Sequence, residues 1–279
     1  MEHQKWQIET GIYEEHPNNP HLPITYRFSE TLIGNLTLAH WHEHIEILCV
    51  LQGNLRVYIQ GTIIDAIPGD LIIINPGETH SIPEREDNSR YECLIPHKAL
   101  CDKMGLEITD HPIENHIQNN LYFTKFQQIM NELREKPPFF EINVQLSLLK
   151  LLVSLMREYP KNAAASKKIS ESSGEHMVKQ AIQYIQEYYA QPISTNDVCQ
   201  YLGFDKSYIC STFKKITGTT IVSFINMIRC EHAKELLQLG KLSVSECAFL
   251  CGFQHFPYFT KTYKRYIGEL PSATLQNNS

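Results

Sequence analysis

Two segments in the last third of the chain are built on one plan, and a helix-turn-helix written twice leaves few folds open to that region. The first runs Ser194, Asp197, Leu202, Gly203, Phe204, then Lys206, Tyr208, Ile209, Phe213, Lys214, Lys215 and Gly218; the second runs Ser243, Glu246, Cys251, Gly252, Phe253, then Tyr258, Phe259, Tyr263, Lys264, Arg265 and Gly268. Ser194 and Ser243 each precede an acid by three positions, the pattern of a capping box, and Gly203 and Gly252 can take the left-handed turn that ends a first helix. Each unit is therefore a short helix, a glycine turn and a second helix. Tyr208, Ile209 and Phe213, with Tyr258, Phe259 and Tyr263, are expected to form the inward faces.

Charge separates function from mere fold here. The net charge of -6, taken as one number, argues against a nucleic-acid binder, but residues 175–279 hold 10 basic and 8 acidic side chains while the preceding residues hold 15 and 23. Lys206, Lys214 and Lys215 fall on the second helix of the first unit, and Lys261, Lys264 and Arg265 on that of the second, with no acid on either. A bundle with merely solvated lysines, the competing reading, would mix signs on its surface. Cations of one sign on a recognition helix predict phosphate contact, so a double-stranded DNA operator is the expected partner. Base edges are expected to be read near the N-terminal ends of the second helices, by Lys206, Ser207, Cys210 and Ser211 in one and by Gln254, His255, Phe256 and Thr260 in the other, Phe256 through a thymine methyl. Lys214, Lys215, Lys261, Lys264 and Arg265 are the expected phosphate clamps.

The helix over residues 224–237, with Arg229, Ala233, Leu236 and Leu237, joins the two units, and Pro271-Ser272 follows them. Together these features resemble the DNA-binding domain of the AraC/XylS transcriptional regulators over about a hundred residues. The resemblance implies a long linker helix over about residues 219–239, with each subunit reaching two successive major grooves. Ser211 stands where many relatives carry arginine, which implies weaker phosphate anchoring or a different base preference in the first unit; Lys261 keeps a cation at the matching place in the second.

The acidic half has another texture. Short β-branched runs at residues 36–39, 46–51, 55–60, 70–75 and 91–95, punctuated by Gly and Pro, predict a small all-β sandwich or barrel. Gly34, His40, His42, Glu46 and Gly53 match the first motif of cupin barrels in spacing; Gly69, Pro76, Gly77 and His80 match the second more loosely, with Pro and Gly adjacent. This resembles the arm and barrel of AraC-type regulators. His40, His42 and Glu46 alternate onto one strand face and can converge with His80 inside the barrel. Three imidazoles and a carboxylate suit a first-row divalent metal. Equally, they can line a pocket and hydrogen-bond a ligand, or serve packing, as the resemblance implies for most such regulators; His44, on the same alternation, leaves open which histidines point inward. No cofactor and no enzymatic activity are expected, the rival reading being a metal-dependent cupin enzyme fused to a DNA-binding domain. For a ligand such as a sugar, Tyr26, Trp41, Tyr91 and Trp6 would supply flat apolar faces, and Arg27, His40, His42, Glu46 and His80 hydrogen bonds. The stretch through Pro23 is expected to be an arm over the pocket.

A chain of 279 residues has room for about two domains. The small polar run at residues 160–174 reads as the linker, after a barrel with its arm over 1–110 and a helical segment over 111–159, and before the DNA-binding domain at 175–279. In the helical segment, Phe123, Phe126, Met130 and Leu133 mark a helix that Pro137-Pro138 stops. The next carries two apolar stripes, one of Ile142, Leu146, Leu149, Val153 and Met156, the other of Leu148, Leu151, Leu152 and Leu155. Two stripes want two partners: the barrel and a second subunit, or one core that takes both. Eight cysteines without a C-x-x-C pair exclude a zinc ribbon or thioredoxin-like site, and no apolar run approaches the ~20 residues of a membrane span. The N-terminus lacks an export signal, so the cytoplasm is the expected compartment. The expected fold class is α+β multidomain: a cupin-like β-barrel with two following helices, then an all-α double helix-turn-helix domain. The expected function is sequence-specific DNA-binding transcriptional regulation by a homodimer under a small-molecule effector, with RNA polymerase as a further partner if it activates.

Overall fold

The computed structural model describes residues 22–28, 37–83, 89–162 and 172–276. Gly34, Trp6, most of the expected arm and residues 163–171 of the expected linker lie outside these.

Two antiparallel sheets face each other in the first half. One has the order β1 (Ile24–Arg27), β8 (Arg90–Pro96), β3 (Glu46–Gln52), β6 (Leu71–Ile74), β9 (His116–Ile117); the other has the order β2 (Thr37–His40), β7 (His80–Ile82), β4 (Leu55–Ile59), β5 (Thr62–Ala66). Leu48, Val50, Leu55, Val57, Ile59, Ile72, Ile74, Ile82, Tyr91 and Cys93 fill the space between them. β4 alternates, with Leu55, Val57 and Ile59 buried in the filling between the sheets, Arg56 exposed and Tyr58 half-buried on the outer face. β3, β6 and β8 are buried along nearly their whole lengths because helices cover their second face. The β4–β5 hairpin turns on Gln60 and Gly61, both at positive φ, the two-residue turn whose twist suits a hairpin.

After the short α1 (Lys98–Lys103), α2 (Asn120–Glu135) and α3 (Phe140–Glu158) form a hairpin on the outer face of the five-stranded sheet. Tyr122, Phe126, Ile129, Met130 and Leu133 of α2, and Val144, Leu148, Leu151, Leu152 and Leu155 of α3, pack there against Ile47, Cys49, Leu71, Ile73 and Leu94. The second stripe of α3 is consumed only in part: Met156 packs on the same core and Leu149 and Val153 are half-buried, but Ile142 and Leu146 are 60% and 62% exposed. Residues 111–119, expected in a helical segment, instead run extended and contribute β9, which pairs with β6. Two residues carry too little pattern to announce a strand.

The second half is helical throughout: α4 (Ser173–Tyr188), α5 (Thr195–Leu202), α6 (Lys206–Thr217), α7 (Ile221–Gln238), α8 (Val244–Leu250), α9 (Phe256–Ile267) and α10 (Pro271–Gln276). The capping boxes form as the spacing demands, the Ser194 N–H donating to Asp197 and the Ser243 N–H to Glu246, each at 2.8 Å. Gly203 and Gly252 adopt positive φ at the turns. α5–α6 and α8–α9 are the two helix-turn-helix units, and α7, spanning about 27 Å, joins them.

Candidate functional site

The second helix of each unit is held by an apolar stripe and leaves its cations in water. Ile209, Phe213 and Ile216 anchor α6, and Phe259 and Tyr263 anchor α9, all buried. Lys206, Ser207, Ser211, Lys214 and Lys215 on α6, and Gln254, His255, Phe256, Lys261, Lys264 and Arg265 at or on α9, are exposed; Cys210 and Thr260 are half-buried. Tyr208 and Tyr258, expected to face inward, are instead 42% and 50% exposed. Each sits one position before the anchor residue, about 100° around the helix from it. Tyr258 Oη accepts a hydrogen bond from Asn226 Nδ2 (2.8 Å), and Lys206 Nζ donates to Asn196 Oδ1 (2.8 Å), both beside the cleft between the units.

A clamp that the motif did not reveal fixes the units to each other. Arg229, on the joining helix, donates from Nε to the Tyr189 carbonyl and from Nη2 to that of Gln191, both at 2.8 Å, while its guanidinium faces the Phe253 ring. The Tyr189 ring stacks on His232, with centroids 4.2 Å apart. The loop after α4 therefore reaches across to the second unit.

In the first half the polar residues gather at one end of the barrel. His40 and His80 are register partners across β2 and β7, Glu46 opens β3, and His42 lies in the turn between β2 and β3. His42 Nε2 and His80 Nε2 stand 3.2 and 3.1 Å from Glu46 Oε2, and the Cys93 thiol donates to Oε1 (3.1 Å). Burial pushes the Glu46 carboxyl up, but the two imidazoles beside it outweigh this and hold it well below the usual range. Burial, reinforced by His80 and His42, holds His40 well below the usual imidazole range. His44 turns away, stacks on His97 and accepts the Lys98 N–H at Nδ1 (2.9 Å); burial lowers its pKa to about 4. Arg27, exposed, pairs in register with inward-facing Cys93 and so lies on the barrel's inner side.

Three aromatic expectations need correction. Tyr26 pairs with Leu94 and packs in the core beneath the helices, outside the barrel. Tyr91 is buried in the apolar filling opposite Val50, far along the strand from Glu46. Trp41 packs on the DNA-binding half, under Lys179 Nζ at 5.2 Å.

That placement reveals a seam between the halves. Leu38, Ala39 and Trp41 join the apolar cluster of α4, α6 and α7. The Ser81 Oγ donates to the Thr217 carbonyl at the end of α6 (2.8 Å), and Lys179 Nζ donates to the Gly77 carbonyl (2.8 Å). The β2–β7 ribbon thus turns His40 and His80 toward the barrel and Ala39 and Ser81 toward the recognition helix. Glu175 is also buried in this seam, beside Thr79 and with Lys179 Nζ at 3.9 Å, and burial pushes its carboxyl up. A raised carboxyl costs stability as pH climbs through its folded value and nothing below the ordinary 4.5. Glu175→Gln is therefore expected to raise the melting temperature by a few degrees at pH 8, with the gain vanishing near pH 4. A thermal melt series across pH checks this, and a gain independent of pH would assign it to packing instead.

A ligand-type β-barrel docked on paired helix-turn-helix units defines a DNA-binding regulator with a sensor domain. The family described as AraC-like ligand binding domain matches residues 23–166, and a helix-turn-helix domain family matches residues 198–277; the chain belongs to the AraC family of transcriptional regulators. It is 28% identical over 248 residues to the HTH-type transcriptional regulator YbfI of Bacillus subtilis (strain 168), covering 84% of this chain and 85% of that one. It is 31% identical over 160 residues to the Msm operon regulatory protein of Streptococcus mutans, covering 55% and 56%. It is also 32% identical over 125 residues to the raffinose operon transcriptional regulatory protein RafR of Pediococcus pentosaceus, covering 45% and 44%. Among the described residues, no helix is long and apolar enough to cross a membrane.

Proposed function

We propose that this regulator binds a double-stranded operator through α6 and α9, as a homodimer, and that a small polar metabolite in the sensor half sets its affinity. The carrying observation is the pair of second helices, each anchored by a buried stripe and each exposing three cations without an acid. Lys206, Ser207, Cys210, Ser211, Gln254, His255, Phe256 and Thr260 read bases, and Lys214, Lys215, Lys261, Lys264 and Arg265 hold phosphates. The likeness to a raffinose operon regulator supports a sugar as the effector class. Arg27 and the histidine–glutamate end of the barrel are the groups that would bind it; Tyr26, Trp41 and Tyr91 are placed elsewhere.

The β2–β7 ribbon gives the effector a route to DNA, since one face lines the polar end of the barrel and the other seats α6. Effector binding acts by favouring one of two arrangements of that seat, through its different affinity for each. The exposed part of the second stripe of α3, Ile142 and Leu146, with exposed Phe139 beside it, is the surface for a second subunit. Binding and release of DNA require no turnover, so the reading is of a regulator in the cytoplasm, touching RNA polymerase where it activates, and not of an enzyme.

Fluorescence anisotropy of the full chain on its own upstream DNA, with and without a panel of sugars, tests this. The expected result is selective binding of two chains per operator, on half-sites each spanning two turns of roughly ten base pairs, shifted by one sugar. Loss of selectivity against random DNA would defeat the operator reading; selective binding indifferent to every sugar would defeat the sugar alone.

A further inference from the structure

We propose that His40, His42, Glu46 and His80 form a binding site for one first-row divalent metal ion, of the zinc or cobalt type, at the polar end of the sensor barrel. One ligand atom from each of the four lies within 4.8 Å of the others, and His42, Glu46 and His80 are nearly fully buried. Bonds of about 2.1 Å to a common ion leave ligands roughly 3 to 4 Å apart, so small side-chain rotations close the site.

The histidines are already oriented for this. His40 Nδ1 lies 2.8 Å from the Leu38 carbonyl, His42 Nδ1 3.0 Å from that of His44, and His80 Nδ1 2.9 Å from that of Glu78. A carbonyl oxygen only accepts, so each Nδ1 carries a proton, and Nε2 is the nitrogen of each ring left to ligate an ion. Ligating histidines are held in this way, by a backbone acceptor on the far nitrogen.

The inner nitrogens meet one carboxylate oxygen. Nε2 of His42 is hydrogen-bonded to Glu46 Oε2 at 3.2 Å, whereas Nε2 of His80, buried and 3.1 Å from the same oxygen, is off hydrogen-bond geometry with it. A buried imidazole nitrogen without a hydrogen bond is costly, and an ion at the centre would satisfy it together with the carboxylate, displacing the proton between His42 and Glu46. The Cys93 thiol takes Glu46 Oε1, which leaves Oε2 as the single ligating oxygen. Three imidazoles with one carboxylate select first-row divalent ions over magnesium or calcium, which prefer oxygen throughout.

The full chain, treated with chelator and desalted, is titrated with zinc sulfate by calorimetry and thermal melting, and with cobalt chloride by visible absorption. The expected results are one ion per chain, a melting temperature raised by several degrees, and cobalt d–d bands without a thiolate charge-transfer band. Glu46→Gln and His40→Ala are expected to weaken binding at least tenfold and abolish the cobalt bands, while His111→Ala, at an exposed position, leaves both unchanged. No stoichiometric binding by the wild-type chain, a thiolate-dominated cobalt spectrum, or binding undiminished in Glu46→Gln would each overturn the site. Because the wild-type spectrum alone separates imidazole from thiolate ligation, the test stands even if one variant fails to fold.

Discussion

Replacing Lys261, Lys264 and Arg265 together by alanine is expected to weaken operator binding about a hundredfold at ~0.15 M salt and to lower the salt slope by about 3. Each phosphate held by a lysine or arginine releases close to one counterion, and three lost contacts remove roughly two decades of affinity at that ionic strength. The three side chains are exposed, whereas α9 is anchored by Phe259 and Tyr263, so the helix stays folded; Arg265 loses only its contact with the Tyr266 ring. Stability should therefore change by no more than about 1 kcal/mol. Anisotropy at three salt concentrations separates the alternatives. An unchanged slope would mean that these charges are merely solvated and that the second unit does not touch the duplex backbone.

The features legible in the sequence were those written locally. Capping boxes, glycine turns and the anchor residues Ile209, Phe213, Phe259 and Tyr263 need only neighbours within a few positions, and their doubling made them hard to mistake. The inward assignment of Tyr208 and Tyr258 failed because a helix buries positions four apart, and the residue just before an anchor looks outward. Strands β1, β5, β7 and β9 carry two to five residues each, and their existence is decided by the strands that they pair with, information no short window holds.

The sensor site shows the same division. Alternation grouped His40, His42 and Glu46 correctly, but for a partly different reason: β2 ends at His40, and His42 reaches Glu46 from the turn. Tyr26 and Arg27 are adjacent in β1 and so must face opposite sides; which of them looks into the barrel followed only from the register with β8. Trp41 could not be placed from sequence at all, since its partner is Lys179 of the other half. Nor did any motif mark Ser81, Thr217 or Glu175, whose roles exist only at the seam. The helix-turn-helix units are set by local sequence, whereas the seam is made by contacts such as Ser81 to Thr217 and Gly77 to Lys179, between residues more than a hundred positions apart.

The repeat itself supplies the sharpest test of that distinction, because Gly203 and Gly252 are equivalent in sequence and inequivalent in structure. Both have positive φ, +71° and +83°, so either substitution by alanine costs roughly 1–2 kcal/mol of left-handed strain. A Cβ on Gly203 would meet nothing within 4 Å, whereas on Gly252 it would lie 2.8 Å from the Tyr189 carbonyl oxygen and 2.9 Å from that of Ala190. These are backbone atoms, and the Tyr189 carbonyl is held in place by Arg229. The loop cannot yield without breaking the clamp between the two units. Gly252→Ala is therefore expected to cost about 3–5 kcal/mol, and Gly203→Ala no more than about 2. Urea unfolding of the two variants measures the difference, and DNase footprinting reads its consequence: Gly203→Ala should retain protection over both grooves of each half-site, while Gly252→Ala should keep at most one. Equal losses in the two variants would show that the clamp around Arg229 does not bind the units into one body, and that each helix-turn-helix folds and docks without reference to the other.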